Sequence, residues 1–178
     1  MKSLKHWVLA LSALSWFGCS SSINEDGRGC SFICDSVQYK VEFMSAGCVR
    51  ILSYPEGDTL VTKRLVVDTE KPTFKDYRCE ETKQTFVFRT HELSVTFDKA
   101  NAAFTFHEAS TGRLLLEEKG HKKARDFKRS EAGGEQCLEV TQRFVPTADE
   151  AIYGLGQYQN GIMNYRGKSV LLLQANMD

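Results

Sequence analysis

The sequence predicts an all-β fold, an antiparallel β-sandwich, and three observations carry that prediction. Aromatic and β-branched residues recur in short runs of strand length. Several of those runs alternate apolar with polar residues, the period of a half-buried strand. Gly, Pro, Asn and Asp punctuate them, and no long helical period intervenes. At 178 residues the chain is long enough for one domain with a real core and an appendage. Lys plus Arg total 23 and Asp plus Glu total 23, so the charge balance asks for no nucleic acid and no acidic partner.

Residues 1–18 read as an export signal rather than as part of the fold. Lys2 and Lys5 form a basic start and Trp7 to Phe17 an apolar run too short to span a bilayer. Gly18-Cys19 then places a cysteine directly after that run. This resembles a bacterial lipoprotein signal, in which the thiol of Cys19 takes the lipid and the protein is held at the outer membrane or in the periplasm. Trp16 and Phe17 are bulkier than the residues usual before such a cysteine, and ordinary cleavage beside an unmodified cysteine is the alternative. Residues 19–36 are expected to form a flexible tether, being polar and aperiodic from Ser20 to Gly29, with Glu25 and Asp26 resembling a short acidic export tag.

The sandwich is expected from Val37 onward. Val37, Tyr39, Val41 and Phe43 alternate with Gln38, Lys40 and Glu42, a strand with one wet face. Val49 to Leu52 follows, then a turn at Tyr54-Pro55-Glu56-Gly57-Asp58. Leu60 to Val67 and Thr85 to Thr90 are further strand-like runs. The clearest hairpin spans Glu92 to Glu108: Leu93, Val95 and Phe97 point one way, Lys99-Ala100-Asn101 turns, and Phe104 and Phe106 return. Leu114 to Leu116 and Cys137 to Val145 complete the series. Lys119 to Arg129 is the one charge cluster, and with Gly133-Gly134 behind it reads as a solvated loop between strands.

Six cysteines are present, and lipid on Cys19 would leave five. Cys30 and Cys34, close together in a segment taken as irregular, are the expected disulfide pair; Cys48 and Cys137 fall in strand-like runs and are expected to be buried and free. No second cysteine pair or nearby histidine gives ligand spacing, and His6, His91, His107 and His121 are scattered, so neither a metal nor any other cofactor is expected.

The most specific stretch is Ala151 to Asp178. Gly154, Gly156, Gly161 and Gly167 allow tight turns, and its tyrosines and side-chain amides offer contacts suited to hydroxyl-rich partners. From residue types alone it is a Gly-rich turn region, with a hairpin at Tyr165 to Lys168 leading to a buried strand at Val170 to Leu173. The order Tyr153-Gly154-Leu155-Gly156-Gln157, then Gly161, then Met163 to Lys168, then Leu172, Gln174 and Asn176, resembles the end of the N-terminal β-sandwich of glycoside hydrolase family 31. Among its members the exported α-xylosidases and related α-glucosidases are the most similar, and the likeness runs from about Val37 to Asp178.

That resemblance implies a galactose-mutarotase-like sandwich, residues 37–178, that is incomplete at its C-terminal end and precedes a catalytic β/α barrel. It implies an α-linked oligosaccharide as substrate of the whole enzyme. A retaining glycosidase needs two carboxyl groups about 5 Å apart. In this family they are barrel aspartates, and a barrel takes about 250 residues more. No segment here matches the motif of the nucleophile, so no catalytic residue is expected in this chain. Asn176 and Asp178 match the start of a loop that reaches over the barrel mouth and are the candidate substrate contacts, with plain turn residues as the alternative. Arg166 is a candidate for a bidentate bond across the seat on the barrel. A stand-alone glycan-binding lipoprotein, with Tyr158 and Tyr165 as a stacking platform, is the rival reading.

Overall fold

The computed structural model describes residues 23–27, 29–58, 74–120, 125–156 and 160–172. Among the described residues, eleven strands form three antiparallel groups. The first sheet is β1 (Asn24–Glu25), β2 (Cys30–Cys34), β3 (Val37–Ser45) and β4 (Cys48–Pro55), in that order. The second is β5 (Arg78–Glu81), β6 (Thr85–Arg89), β7 (Leu93–Asp98), β8 (Ala103–Glu108) and β9 (Leu114–Glu117). A separate hairpin joins β10 (Arg125–Ala132) to β11 (Glu135–Gln142). Every pairing joins neighbours in sequence, so short turns set the registers.

Those turns have local causes. Asp35 and Ser36, with φ of 50° and 60°, form the two-residue reversal between β2 and β3, and the Asp at the first position tolerates the left-handed backbone. In the β7–β8 turn the Asp98 carboxylate accepts hydrogen bonds from the N–H groups of Ala100 (2.8 Å) and Asn101 (3.0 Å). Gly133 and Gly134 both take positive φ at the tip of the β10–β11 hairpin, where a side chain would be strained.

The core is aromatic and lies between the two sheets. Registers align Phe86, Phe97 and Phe104 across β6, β7 and β8, and Phe88 with Val95 and Phe106 in the next line. From the other sheet Phe32 inserts its ring 4.5 Å from Phe86 and 4.8 Å from Phe97, while Tyr39 stands 4.9 Å from Phe97. All of these except Phe106 are fully or nearly fully buried. Burying a ring of this size stabilises by roughly 2–3 kcal/mol through its area, and offset or tilted ring pairs add about 0.5–1.5 kcal/mol each. The sandwich expected from the alternation is therefore present, with the predicted β3, β6, β7, β8 and β9 in place. The Leu60 to Val67 run lies outside the described residues, as does the 1–18 signal with Cys19.

Four expectations are corrected. The first sheet begins before Val37: β2 lies within the segment assigned to a tether, and Cys30, Phe32 and Cys34 all point into the core. For that reason Cys30 and Cys34 cannot pair. Four residues apart on one strand, they stand about 13 Å apart, twice the span of a disulfide. Cys30 is instead bonded to Cys79 of β5, tying one sheet to the other across 49 residues. Closing a loop of that size removes unfolded-state entropy worth about 4 kcal/mol. Cys34 is buried and free as a small core residue, but Cys48 and Cys137 are exposed rather than buried. Finally, part of the supposed charged loop is strand β10, which pairs along its whole length with β11.

Strand β3 also departs from the simple wet-face pattern. Glu42 is only 1% exposed although it alternates with core residues. Its carboxylate meets Lys40 Nζ at 3.2 Å and Arg50 Nη1 at 3.4 Å, and Lys40 continues to Asp26 at 2.6 Å. Arg50 sits opposite Glu42 in the β3–β4 register, so the pairing is built into the sheet. Burial disfavours the Lys40 ammonium, but hydrogen bonds to Asp26 and Glu42 outweigh that and hold its pKa above the ordinary lysine value.

Candidate functional site

The segment that the sequence singled out follows the hairpin, and the stretch leading into it bonds to the end of the second sheet. Arg143 to Val145 runs antiparallel to Glu117–Lys119: Lys119 N–H donates to Arg143 O (3.0 Å) and Val145 N–H to Glu117 O (2.9 Å). Between them Glu118, 2% exposed, turns its carboxylate inward to accept the Phe104 N–H at 3.0 Å. A carboxyl group is buried here with a backbone donor facing it.

From there the segment is organised by polar side chains bonding to backbone. The Asn164 side-chain oxygen accepts from Ile152 N–H (3.1 Å) and Arg166 N–H (3.0 Å), while Tyr165 N–H donates to Ile152 O at 2.8 Å. Arg166 Nη1 donates to the carbonyls of Thr147 and Glu150, both at 2.6 Å. The guanidinium expected to bond across the seat is thus committed through Nη1 to its own segment. Gly154 and Gly156 take φ of 89° and 108°, with Leu155 also positive at 64°, which explains the glycines of the YGLGQ run.

Tyr165, 7% exposed, is the one buried side chain among the described residues of this loop, and its hydroxyl lies 3.3 Å from the Asn160 side-chain oxygen. Beside it opens a cavity of about 320 Å³ lined by Asn160, Ile162, Tyr165, Lys168, Ser169, Val170 and Leu171. An amide, a phenol, an ammonium and a hydroxyl over an apolar floor can take a hydroxyl-rich ligand. Because the Tyr165 ring is buried, it offers no flat stacking platform; Tyr158 lies outside the described residues. Of the predicted strand at Val170 to Leu173, the described residues 170–172 lie in no strand, and Leu171 is 81% and Leu172 63% exposed; Leu173 lies outside the described residues. Asn176 and Asp178 lie outside the described residues.

Large apolar side chains are exposed throughout this half. Leu138, Val140, Phe144, Val145, Ile152, Leu155 and Met163 join Leu171 and Leu172, with Met163 at 78%. Uncovered apolar surface of this extent is a mark of interaction surfaces.

As to metals, Glu25, Cys30 and Cys79 bring three potential ligand atoms within 4.8 Å of one another. The two sulfurs are joined to each other, which leaves the carboxylate as the sole ligand there.

Residues 38–177 match the family model of the glycosyl hydrolase 31 N-terminal galactose mutarotase-like domain. Among solved structures, the family 31 α-xylosidase of Xanthomonas citri superposes with a TM-score of 0.70 at 25% identity, over 82% of this chain and 16% of that one. A family 31 α-xylosidase from a soil metagenome, solved with xylose, gives 0.65 at 21% identity, over 88% of this chain and 25% of that one. The cycloalternan-forming enzyme of Listeria monocytogenes, solved with a pentasaccharide substrate, gives 0.63 at 21%, over 85% and 14%. The chain thus spans a quarter or less of the length of each of these proteins. Matched over most of its length by this domain, and carrying the antiparallel sandwich with the YGLGQ turn and the Asn164–Arg166 clasp behind it, the chain belongs to glycoside hydrolase family 31.

Proposed function

We propose that this sandwich is the leading domain of an exported retaining α-glycosidase, with α-xylosidase as its activity, and that it supports the catalytic machinery rather than supplying it. The observation that carries the reading is the likeness over 82% of the chain to the Xanthomonas citri α-xylosidase. In this proposal two aspartates of a following β/α barrel do the chemistry, one attacking the anomeric carbon and one protonating the leaving oxygen. The exposed apolar half around Tyr153 and Met163 seats against that barrel. Asn176 and Asp178 open the loop that touches the α-linked oligosaccharide, and lipid on Cys19 holds the enzyme at the membrane.

The test compares the 178-residue chain with a version extended through whatever open frame follows Asp178 in its source DNA. On aryl α-xyloside and aryl α-glucoside the short chain releases no sugar, and the extended protein releases xylose in preference to glucose. Turnover by the short chain, or an extended frame with no barrel, overturns the proposal.

A further inference from the structure

Away from the apolar half, β5 forms an edge of the second sheet and pairs with β6 so that Arg78 stands directly opposite Arg89. Two like charges placed face to face across antiparallel strands destabilise the pair. Neither guanidinium has an ion pair or hydrogen bond among the described residues, and both are exposed. They line a cleft of about 320 Å³ with Asp76, Glu80, Thr90 and His91. Thr90 is occupied structurally: its hydroxyl donates to Ala46 O and accepts from Leu93 N–H at 2.9 Å. His91 Nε2 leans toward Glu92, 3.5 Å from its carboxylate. The groups with unspent capacity are therefore two cationic forks and the two carboxylates of Asp76 and Glu80.

Guanidinium forks donate only, and ionised carboxylates accept only. A ligand that satisfies both carries an oxyanion for the arginines and hydroxyl donors for Asp76 and Glu80. The cleft volume suits one or two sugar rings. The Arg78–Arg89 line continues across the outer face through Ser94 and His107, which share the same register row at strand spacings of about 4.8 Å, room for neighbouring rings of a chain. We propose that this cleft binds a uronic acid residue of an acidic glycan, its carboxylate held by Arg78 and Arg89 and its ring hydroxyls by Asp76 and Glu80. The residues lining this cleft are none of the exposed apolar side chains described above, so its binding can be tested on this chain separately from any glycosidase activity.

Titration of the chain with methyl α-glucuronoside, methyl α-glucoside and acetate, followed by amide shifts in NMR, tests it. The glucuronoside should perturb β5 and β6 and bind about tenfold or more tightly than either of the others, because each lacks one half of the charge-assisted recognition. Acetate binding as well as the glucuronoside would reduce the cleft to a general anion site; the glucoside doing so would remove the carboxylate from the argument. Either result overturns the proposal. Arg89→Gln and Arg78→Gln should each abolish the preference for the glucuronoside while leaving the melting temperature unchanged or raised, since each relieves the like-charge contact. If one variant fails to fold, the other carries the test, and unchanged binding in a folded variant sinks it.

Discussion

The two halves of this domain are held by different forces. Between residues 30 and 108 the chain encloses its own core: Phe32, Tyr39, Phe86, Phe97 and Phe104 meet between two sheets, and the Cys30–Cys79 bond closes them. From residue 135 onward the pattern reverses, with leucine, valine and methionine outside and amide and guanidinium groups tying the backbone together. The first half gets its shape from excluding water, the second from directional hydrogen bonds that fix a loop before anything covers it. Folding stability should therefore reside in the first half and surface presentation in the second.

The largest effect should come from breaking the first half at its centre. Phe97 contacts Phe32, Tyr39, Phe86 and Phe104, drawing on both sheets. Phe97→Ala leaves a cavity that neither sheet can close without losing its partners, at a cost of about 3–5 kcal/mol. Since domains of this size are stable by only about 5–15 kcal/mol, urea unfolding should show a much lower midpoint with one cooperative transition. A loss under about 1 kcal/mol would mean that the ring cluster is not the seat of stability.

Which parts of this division were legible in the sequence follows from the same distinction. Alternation exposes a strand whose one face is buried, so β3 and the β7–β8 hairpin could be read from Tyr39, Val41, Phe43, Val95 and Phe97 directly. Strand β2 also alternates, but two of its three buried residues are cysteines. Taken as crosslinkers rather than as small apolar residues, they hid its period and suggested the wrong disulfide. Strand β10, RDFKRSEA, carries charge on both faces and is specified by its Gly133-Gly134 turn and its partner, which no period reveals. The Val170 to Leu173 run shows the opposite error: apolar composition alone does not make a strand, and residues 170–172 lie in none. In the candidate site the turn glycines were visible as turns. The carbonyls of Thr147 and Glu150 that engage Arg166 were not, because only the folded loop brings them beneath it.

A smaller and more local effect should follow from Asn164→Ala. That change removes the acceptor for two backbone N–H groups, Ile152 and Arg166, which costs about 1–2 kcal/mol where water does not replace it. Because the two lost bonds lie within the segment itself, the loss should stay local. Hydrogen exchange should accelerate at Ile152, Tyr165 and Arg166 by roughly tenfold, while the amides of Phe86 and Phe97 keep their protection. Equal acceleration in both sets would show that the two halves unfold as one and would erase the distinction between them.

The smallest effect is a titration centred on two groups of the first half. Lys40 has its pKa raised: burial opposes its charge, and the bonds to Asp26 and Glu42 overcome it. Tyr77, stacked 5.4 Å from Phe43, is also raised, first by burial and then by the nearby Glu25 and Asp26 charges. A group whose folded value lies above its unfolded value contributes stability in full below the unfolded value and loses it as pH rises through the folded one. Both contributions are therefore present at neutral pH and fade above pH about 10, the range of free tyrosine and lysine. The change should stay under about 1 kcal/mol, since the Lys40 pairs keep some access to water. The Asn164 clasp joins a side-chain amide to backbone N–H groups, which do not ionise in this range, so it has no matching loss. Urea midpoints measured from pH 8 to 11.5 should fall for the native chain, and the fall should flatten when Lys40→Arg and Tyr77→Phe are combined. Hydrogen exchange at Ile152, corrected for its intrinsic pH dependence, should not follow that fall unless the whole domain opens. If it did while Phe97 remained protected, the hydrogen bonds of the second half could not be the fixed frame described above.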